Sequence, residues 1–452
     1  MVLVVASFVF GGQSVEASLA QAIPQLLAVG ALAWFGCSAR ASDFVAGSRV
    51  AATFVGAMLL LVALQVVPLP FGWWSALPGR AALVPAVQLA DQGRWLALSE
   101  DPVATLQSAL SLLPAVAMLA IGLTLDREGL RLVMLAIAAC AFASLIFGLL
   151  QFLASADSAL YIYGEPEARQ ALGLFSNRNH QAAALCIGLL LAAALQYAYA
   201  PRSRLLRENR LLVASGVAAL FGLGVIFTAS RTGMLLFVPC AIFVLVAAYR
   251  DGKTRSLTPQ ARTGLLVVLL LFLAIGWAGL GVLAERMGNF RDLRFAIWPD
   301  AWYLAQSAWP VGTGFGTFAL AYQRVESLEG VTPLFANAAH NDYLQLLIEG
   351  GLPAILLVLA FFGWFGRRTV QLARHGEGMA GWCAAAGILV LLLHSAVDYP
   401  LRTEALSTAF AALCVVLNLA RLPAPASTPV LTVARHLDAL EIAGGESCPA
   451  FA

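Results

Sequence analysis

Apolar runs of about twenty residues, each closed by a short polar or basic stretch, recur along the whole chain; this is the length a helix needs to cross a bilayer. They fall near 1–12, 18–36, 50–67, 106–124, 131–152, 180–199, 210–228, 232–249, 263–284, 343–366, 379–396 and 404–420. The alternation of a membrane β-barrel, in segments of about ten residues, is not seen. The pattern therefore predicts an all-α, polytopic membrane protein of about twelve transmembrane helices. Residues 1–10 are apolar but carry no basic residues ahead of them, so they do not read as a cleaved signal peptide.

The connections differ in charge. One set is short and basic: Arg40 and Arg49; Arg127 and Arg131; Arg202, Arg204, Arg207 and Arg210; Arg250, Lys253, Arg255 and Arg262; Arg367, Arg368 and Arg374. By the bias of positive charge toward the cytosol, these loops and both termini are expected inside. The alternate loops then face the periplasm or cell exterior, and three are long: 68–105, 153–179 and 285–342. The last is the most aromatic and is expected to hold short helices. The expected organisation is N-terminal spans over 1–169, a membrane core over 170–400 that includes loop 285–342, a last span over 401–420, and a disordered cytoplasmic tail over 421–452.

Composition agrees with this reading and removes other classes. Of 452 residues, 60% are hydrophobic and 12% charged, against about 25% charged in a soluble domain. The net charge of +2 implies no nucleic-acid partner. The seven cysteines are scattered, mostly in apolar runs and never as Cys-x-x-Cys, so they read as small core residues and predict no metal site.

Arginines on the outward side run against the topological bias. Arg231 sits in the tight turn Thr228-Ala229-Ser230-Arg231-Thr232-Gly233 between two spans. A guanidinium at that depth snorkels to lipid phosphate or binds an anion, and its planar fork suits a phosphate. Arg294, Trp298 and Trp302 are spaced four apart and share one face of a helix, though Pro299 interrupts it or opens a new turn. That helix reads as interfacial, or as bringing Arg294 over the bundle toward Arg231, with Arg291 just upstream as a further contact. Arg178, Asn179 and His180 open the span at 180, where backbone donors favour an anion; helix capping is the plainer alternative. His340 precedes Asn341 and Asp342, both able to cap the following helix. The helix dipole and nearby arginines disfavour an imidazolium there, which makes His340 a candidate general base and Asn341 a candidate substrate contact. Asp398 and Arg402 flank the last outward turn and are expected to pair with each other.

These segments together resemble the O-antigen ligase family, the group that also includes several exopolysaccharide polymerases. The resemblance covers roughly residues 170–400. It rests on Gly173 to Ala182, Thr228 to Gly233, Arg294 through Trp298, Pro310-Val311-Gly312-Thr313-Gly314-Phe315-Gly316, and His340 to Gln345 followed by Glu349-Gly350-Gly351-Leu352-Pro353. Arg178 stands where many members have proline between the two asparagines. The resemblance implies a glycosyltransferase of the C-type that takes a glycan from undecaprenyl diphosphate at the periplasmic face. The acceptor is lipid A–core for a ligase or another lipid-linked repeat for a polymerase. It also implies that Arg231 and Arg294 grip the diphosphate and that His340 activates the acceptor hydroxyl. The donor is already activated, so no cofactor or metal is expected, and with no outward carboxylate well placed as nucleophile the reaction is expected to invert. A transporter or flippase is the rival from another class, but no internal repeat supports it.

Overall fold

The computed structural model describes residues 1–13, 19–38, 48–90, 95–155, 157–164, 169–199, 209–252, 293–328, 336–375 and 378–420, with the side chains of 251–252 and 293–295 excepted. The span expected at 263–284, Arg291 and the tail 421–452 lie outside the described residues. The chain is a polytopic helical membrane protein. Among the described residues seven segments are long and apolar enough to cross a membrane, and three shorter apolar helices accompany them.

In chain order the described helices are α1 (Val2–Phe10), α2 (Ala22–Gly36), α3 (Arg49–Val66), α4 (Phe71–Ser75), α5 (Val84–Leu89), α6 (Pro102–Ser111), α7 (Leu113–Gly122), α8 (Arg127–Leu153), α9 (Arg178–Tyr199), α10 (Arg210–Thr228), α11 (Arg231–Gly252), α12 (Leu293–Ala308), α13 (Phe318–Tyr322), α14 (Asp342–His375), α15 (Met379–Ser395) and α16 (Glu404–Leu419). A two-stranded antiparallel ribbon pairs β1 (Pro68–Pro70) with β2 (Trp95–Ala97). Its strands are three residues each, too short to leave a period in the sequence.

Helix α9 is the axis of the bundle, packed by α8, α10, α11 and α15. Apart from Ala192, every residue from Asn179 to Gln196 is buried. A helix apolar on all sides must be surrounded, and its alanines and Gly188 let the neighbours approach closely. A Cβ at Gly188 would lie 2.5 Å from the Phe221 ring and 2.7 Å from Ala141. Helix α3, by contrast, is only 11% buried and lies at the periphery.

The expected span 343–366 is in fact two helices joined at a break. Gly351 has φ 56° and ψ −149°, and a Cβ there would lie 2.1 Å from the Pro310 carbonyl oxygen. The glycine loop Gly312–Gly316 docks on this break. The N–H groups of Thr313 and Gly314 donate to the carbonyls of Ile348 and Glu349, and Leu352 N–H donates to Pro310 O, each at 2.9 Å. Carbonyls left open by the broken helix are thus satisfied by the loop. Gln65, at the end of α3, donates to Glu349 O (3.0 Å) and accepts from Phe315 N–H (2.9 Å).

The segment between α3 and α6 locks the same loop from the other side. Arg80 is fully buried and donates to Glu100 (2.5 Å), Leu98 O (2.6 Å) and Gly312 O (3.2 Å). Arg324 donates to both oxygens of Glu100, at 2.5 and 2.9 Å, and shares Oε1 with Arg80. One carboxylate therefore ties the N-terminal third of the chain to the glycine loop.

Candidate active site

The helix ends around Asp398 define the site. Helix α10 stops at Ala229, which takes a left-handed φ of 52°. That single residue reverses the chain so that α11 begins two residues later. Ser230 Oγ accepts from Gly233 N–H (3.0 Å) and donates to Asn179 Oδ1 (2.7 Å). A Cβ at Gly233 would lie 2.3 Å from the Ala182 Cβ, so the glycine lets α11 start hard against α9. Asn179 Nδ2 in turn donates to Asp398 Oδ2 at 2.5 Å, and Asn177 Nδ2 reaches the same oxygen at 3.4 Å. The other oxygen, Asp398 Oδ1, lies 3.2 Å from His340 Nδ1.

Asp398 is fully buried, whereas the His340 side chain is 27% exposed. In the neutral imidazole a hydrogen on Nδ1 points at this carboxylate, and Nε2 is then the nitrogen with the lone pair. Tyr399 stacks obliquely on the imidazole with ring centres 4.9 Å apart, and its other neighbour is the buried His180, edge-on at 5.1 Å. The imidazole is thus held on one nitrogen and one face.

The expected pairing of Asp398 with Arg402 is corrected. Arg402 reaches Asp342 (3.4 Å) and Glu349 (2.9 Å) instead. Asp342 and Glu349 are seven apart, two turns along one face of α14, and the turn Pro400–Arg402 lays the guanidinium along that face. Burial works against the charge of Arg402, but the two carboxylates outweigh it and raise its pKa above the ordinary arginine value. Sequence reading singled out Asp398 as polar at a membrane end, yet polar residues at such depth find partners by three-dimensional proximity.

The other sequence candidates fall as follows. Arg231 is the first residue of α11, directly after Ser230, and is exposed. Arg294 lies in the first turn of α12, one turn before Trp298, whose indole N–H donates to Ala339 O at 2.9 Å. Trp302 is 53% exposed, so the aromatic face expected on this helix divides between a buried contact and the surface. Arg178 opens α9 and reaches Gln170 at 3.4 Å. Asn341 caps α14 through its Oδ1, which accepts from Tyr343 N–H and Leu344 N–H, both at 3.1 Å. Asn179 and His180 are buried beneath the surface layer.

One end of the bundle therefore gathers an accessible imidazole on a buried carboxylate, the N-termini of α9, α11 and α14, and Arg231. Residues 216–359 match the family model described as O-antigen ligase. The match covers 144 of the chain's 452 residues. The matched stretch runs from within α10 to within α14 and includes Ser230, Arg231, Trp298, the glycine loop, His340 and Glu349. Asn179, Asp398 and Arg402, which support those residues, lie outside it. The family this stretch resembles is that of O-antigen ligase-type membrane glycosyltransferases and polymerases, which act on lipid-linked glycans. No curated protein matches the chain.

Proposed function

We propose that this protein transfers a glycan from undecaprenyl diphosphate to a hydroxyl of lipid A–core, at the periplasmic face of the bacterial inner membrane. The observation that carries the reading is the His340–Asp398 pair. An exposed imidazole oriented by a buried carboxylate is the arrangement that makes a general base, and here it sits at the end of a membrane bundle whose residues 216–359 match the O-antigen ligase family model.

In this reaction the acceptor oxygen attacks the anomeric carbon as its proton passes to His340 Nε2. The bond from that carbon to the donor diphosphate breaks, and undecaprenyl diphosphate leaves with the electron pair. Arg231 and Arg294 receive the developing charge, assisted by the positive N-terminal ends of α9 and α11. Arg178 and the neighbouring Asn179, His180 and Asn341 belong to the rim and support of the same site, and Arg291 is kept as a further contact from its sequence alone. Asp398 is enclosed and its oxygens are engaged by Asn177, Asn179 and His340, so it orients the base and does not serve as a nucleophile. A single displacement with inversion follows. The leaving group is activated in the donor itself, and the reading requires no metal or cofactor.

The test is Arg231→Lys. Lysine keeps the charge and loses the two-pronged donor. Charge-assisted hydrogen bonds contribute about 1.5–3 kcal/mol each, so transfer is expected to fall roughly ten- to a hundredfold at saturating acceptor, with the protein still inserted and folded. Transfer at the wild-type rate removes Arg231 from the diphosphate site.

A further inference from the structure

His340 holds a backbone conformation that L-residues seldom adopt, with φ 50°. For a residue other than glycine this conformation is strained and persists only where the surroundings impose it. The rotation φ of His340 turns the peptide plane between Ala339 and His340, the plane that carries the Ala339 carbonyl. That carbonyl is held by the Trp298 indole N–H at 2.9 Å. The Ala339 N–H is held separately, by Gln345 Oε1 at 3.1 Å. Ala339 is itself fully buried. Past the histidine, Asp342 N–H donates to Asp398 O at 3.2 Å.

Gln345 is fixed in turn. It is 3% exposed, and its Nε2 donates to Glu349 Oε1 at 3.0 Å. Only one orientation of the amide lets its oxygen face an N–H and its nitrogen face a carboxylate, so the side chain has no alternative flip. Glu349 also accepts from Phe318 N–H at 3.2 Å and from Arg402 at 2.9 Å. The chain of bonds therefore runs from the glycine-loop region and Arg402, through Glu349 and Gln345, to the residue before His340.

We propose that Gln345 and Trp298 are positioning residues for His340: together they clamp Ala339 from both sides, hold the left-handed turn, and so keep the imidazole on Asp398. The proposal rests on the reading of His340 as the base, but its clamp can be tested apart from that reading. Neither residue need touch substrate. Misplacement of a reacting group by about 1 Å costs on the order of a hundredfold in rate, so loss of either hold is expected to reduce turnover while substrate binding persists.

The experiment uses the full chain purified in detergent, as wild type, Gln345→Met, Trp298→Phe and His340→Ala. Carbethoxylation of His340 by diethyl pyrocarbonate is followed by peptide mass spectrometry, with the exposed His375 on the same chain as internal reference. Freed from Asp398, the imidazole can move its hydrogen to Nε2 and offer Nδ1 as a second site for the reagent, so His340 is expected to react about threefold faster or more in both variants while His375 is unchanged. With lipid-linked donor and acceptor, kcat is expected to fall roughly ten- to a hundredfold and KM to stay within about twofold. Two variants on opposite sides of Ala339 keep the test open if one of them fails to fold. A His340 labelling rate equal to wild type in the folded variants overturns the clamp. Faster labelling together with full transfer by His340→Ala upholds the clamp and overturns the catalytic reading instead.

Discussion

His340→Ala is expected to lose glycan transfer by about 10²–10⁴-fold, the range a positioned general base contributes, while remaining folded and membrane-inserted. The variant removes a partly exposed side chain that rests on one carboxylate oxygen and one ring face. Asp398 keeps its bonds to Asn179 and Asn177 on the other oxygen, so its buried charge is not stranded. Alanine is less at home than histidine at φ 50° by a small margin, which bears on local stability and not on insertion. The measurement is single-turnover transfer at saturating donor, beside a melting curve of the same preparation. A melting temperature near wild type with transfer at the wild-type rate would show that the imidazole is not the base.

Glu100→Ala is expected to have the largest effect on stability. Its carboxylate is 1% exposed and lies between Arg80, fully enclosed, and Arg324, 23% exposed. Burial already draws the Arg80 guanidinium below its usual pKa, and the attraction of Glu100 is what opposes this. Removing one partner of a buried pair leaves an uncompensated charge, at a cost of about 3–5 kcal/mol. The loss falls on the contact between Arg80 and the Gly312 carbonyl, and therefore on the loop that docks against the break in α14. The variant should melt well below wild type and lose transfer as a secondary effect. Glu128→Ala is the control: its partner Arg131 is on the surface at 3.0 Å with Glu128 48% exposed, so it should change stability by less than about 1 kcal/mol. Equal melting of the two variants would mean the Glu100 cluster does not hold the loop.

The long helices were readable because their apolar runs match the length of a span. Helix α10 coincides with the expected 210–228, and α9 begins at Arg178, two residues before the expected start. Breaks inside apolar runs were not readable. The run 106–124 is two helices meeting at Leu112, ahead of Pro114, and the run after His340 turns sharply at Gly351. In each case the hydropathy continues unbroken while the backbone changes course, and only packing shows it. The segment 68–105 carries no motif, yet it supplies Arg80 and Glu100. Its role depends on a pairing across more than two hundred residues with Gly312 and Arg324. At the site, single residues were legible by chemistry: His340, Arg231 and Asp398 are polar groups at helix ends in an apolar chain. Their partners were not. Asp398 faces His340, and Arg402 faces α14, because the turn between α15 and α16 folds Asp398 and Arg402 onto different sides of one short loop.

The most direct test of the central claim is reconstitution of the purified chain in vesicles with an undecaprenyl diphosphate-linked glycan and lipid A–core as acceptor. The account predicts a new glycosidic bond, with release of undecaprenyl diphosphate and inversion at the anomeric carbon. Vesicles in which the lipid-linked glycan crosses the bilayer but no glycosidic bond forms would contradict it, and would mark the protein as a transporter.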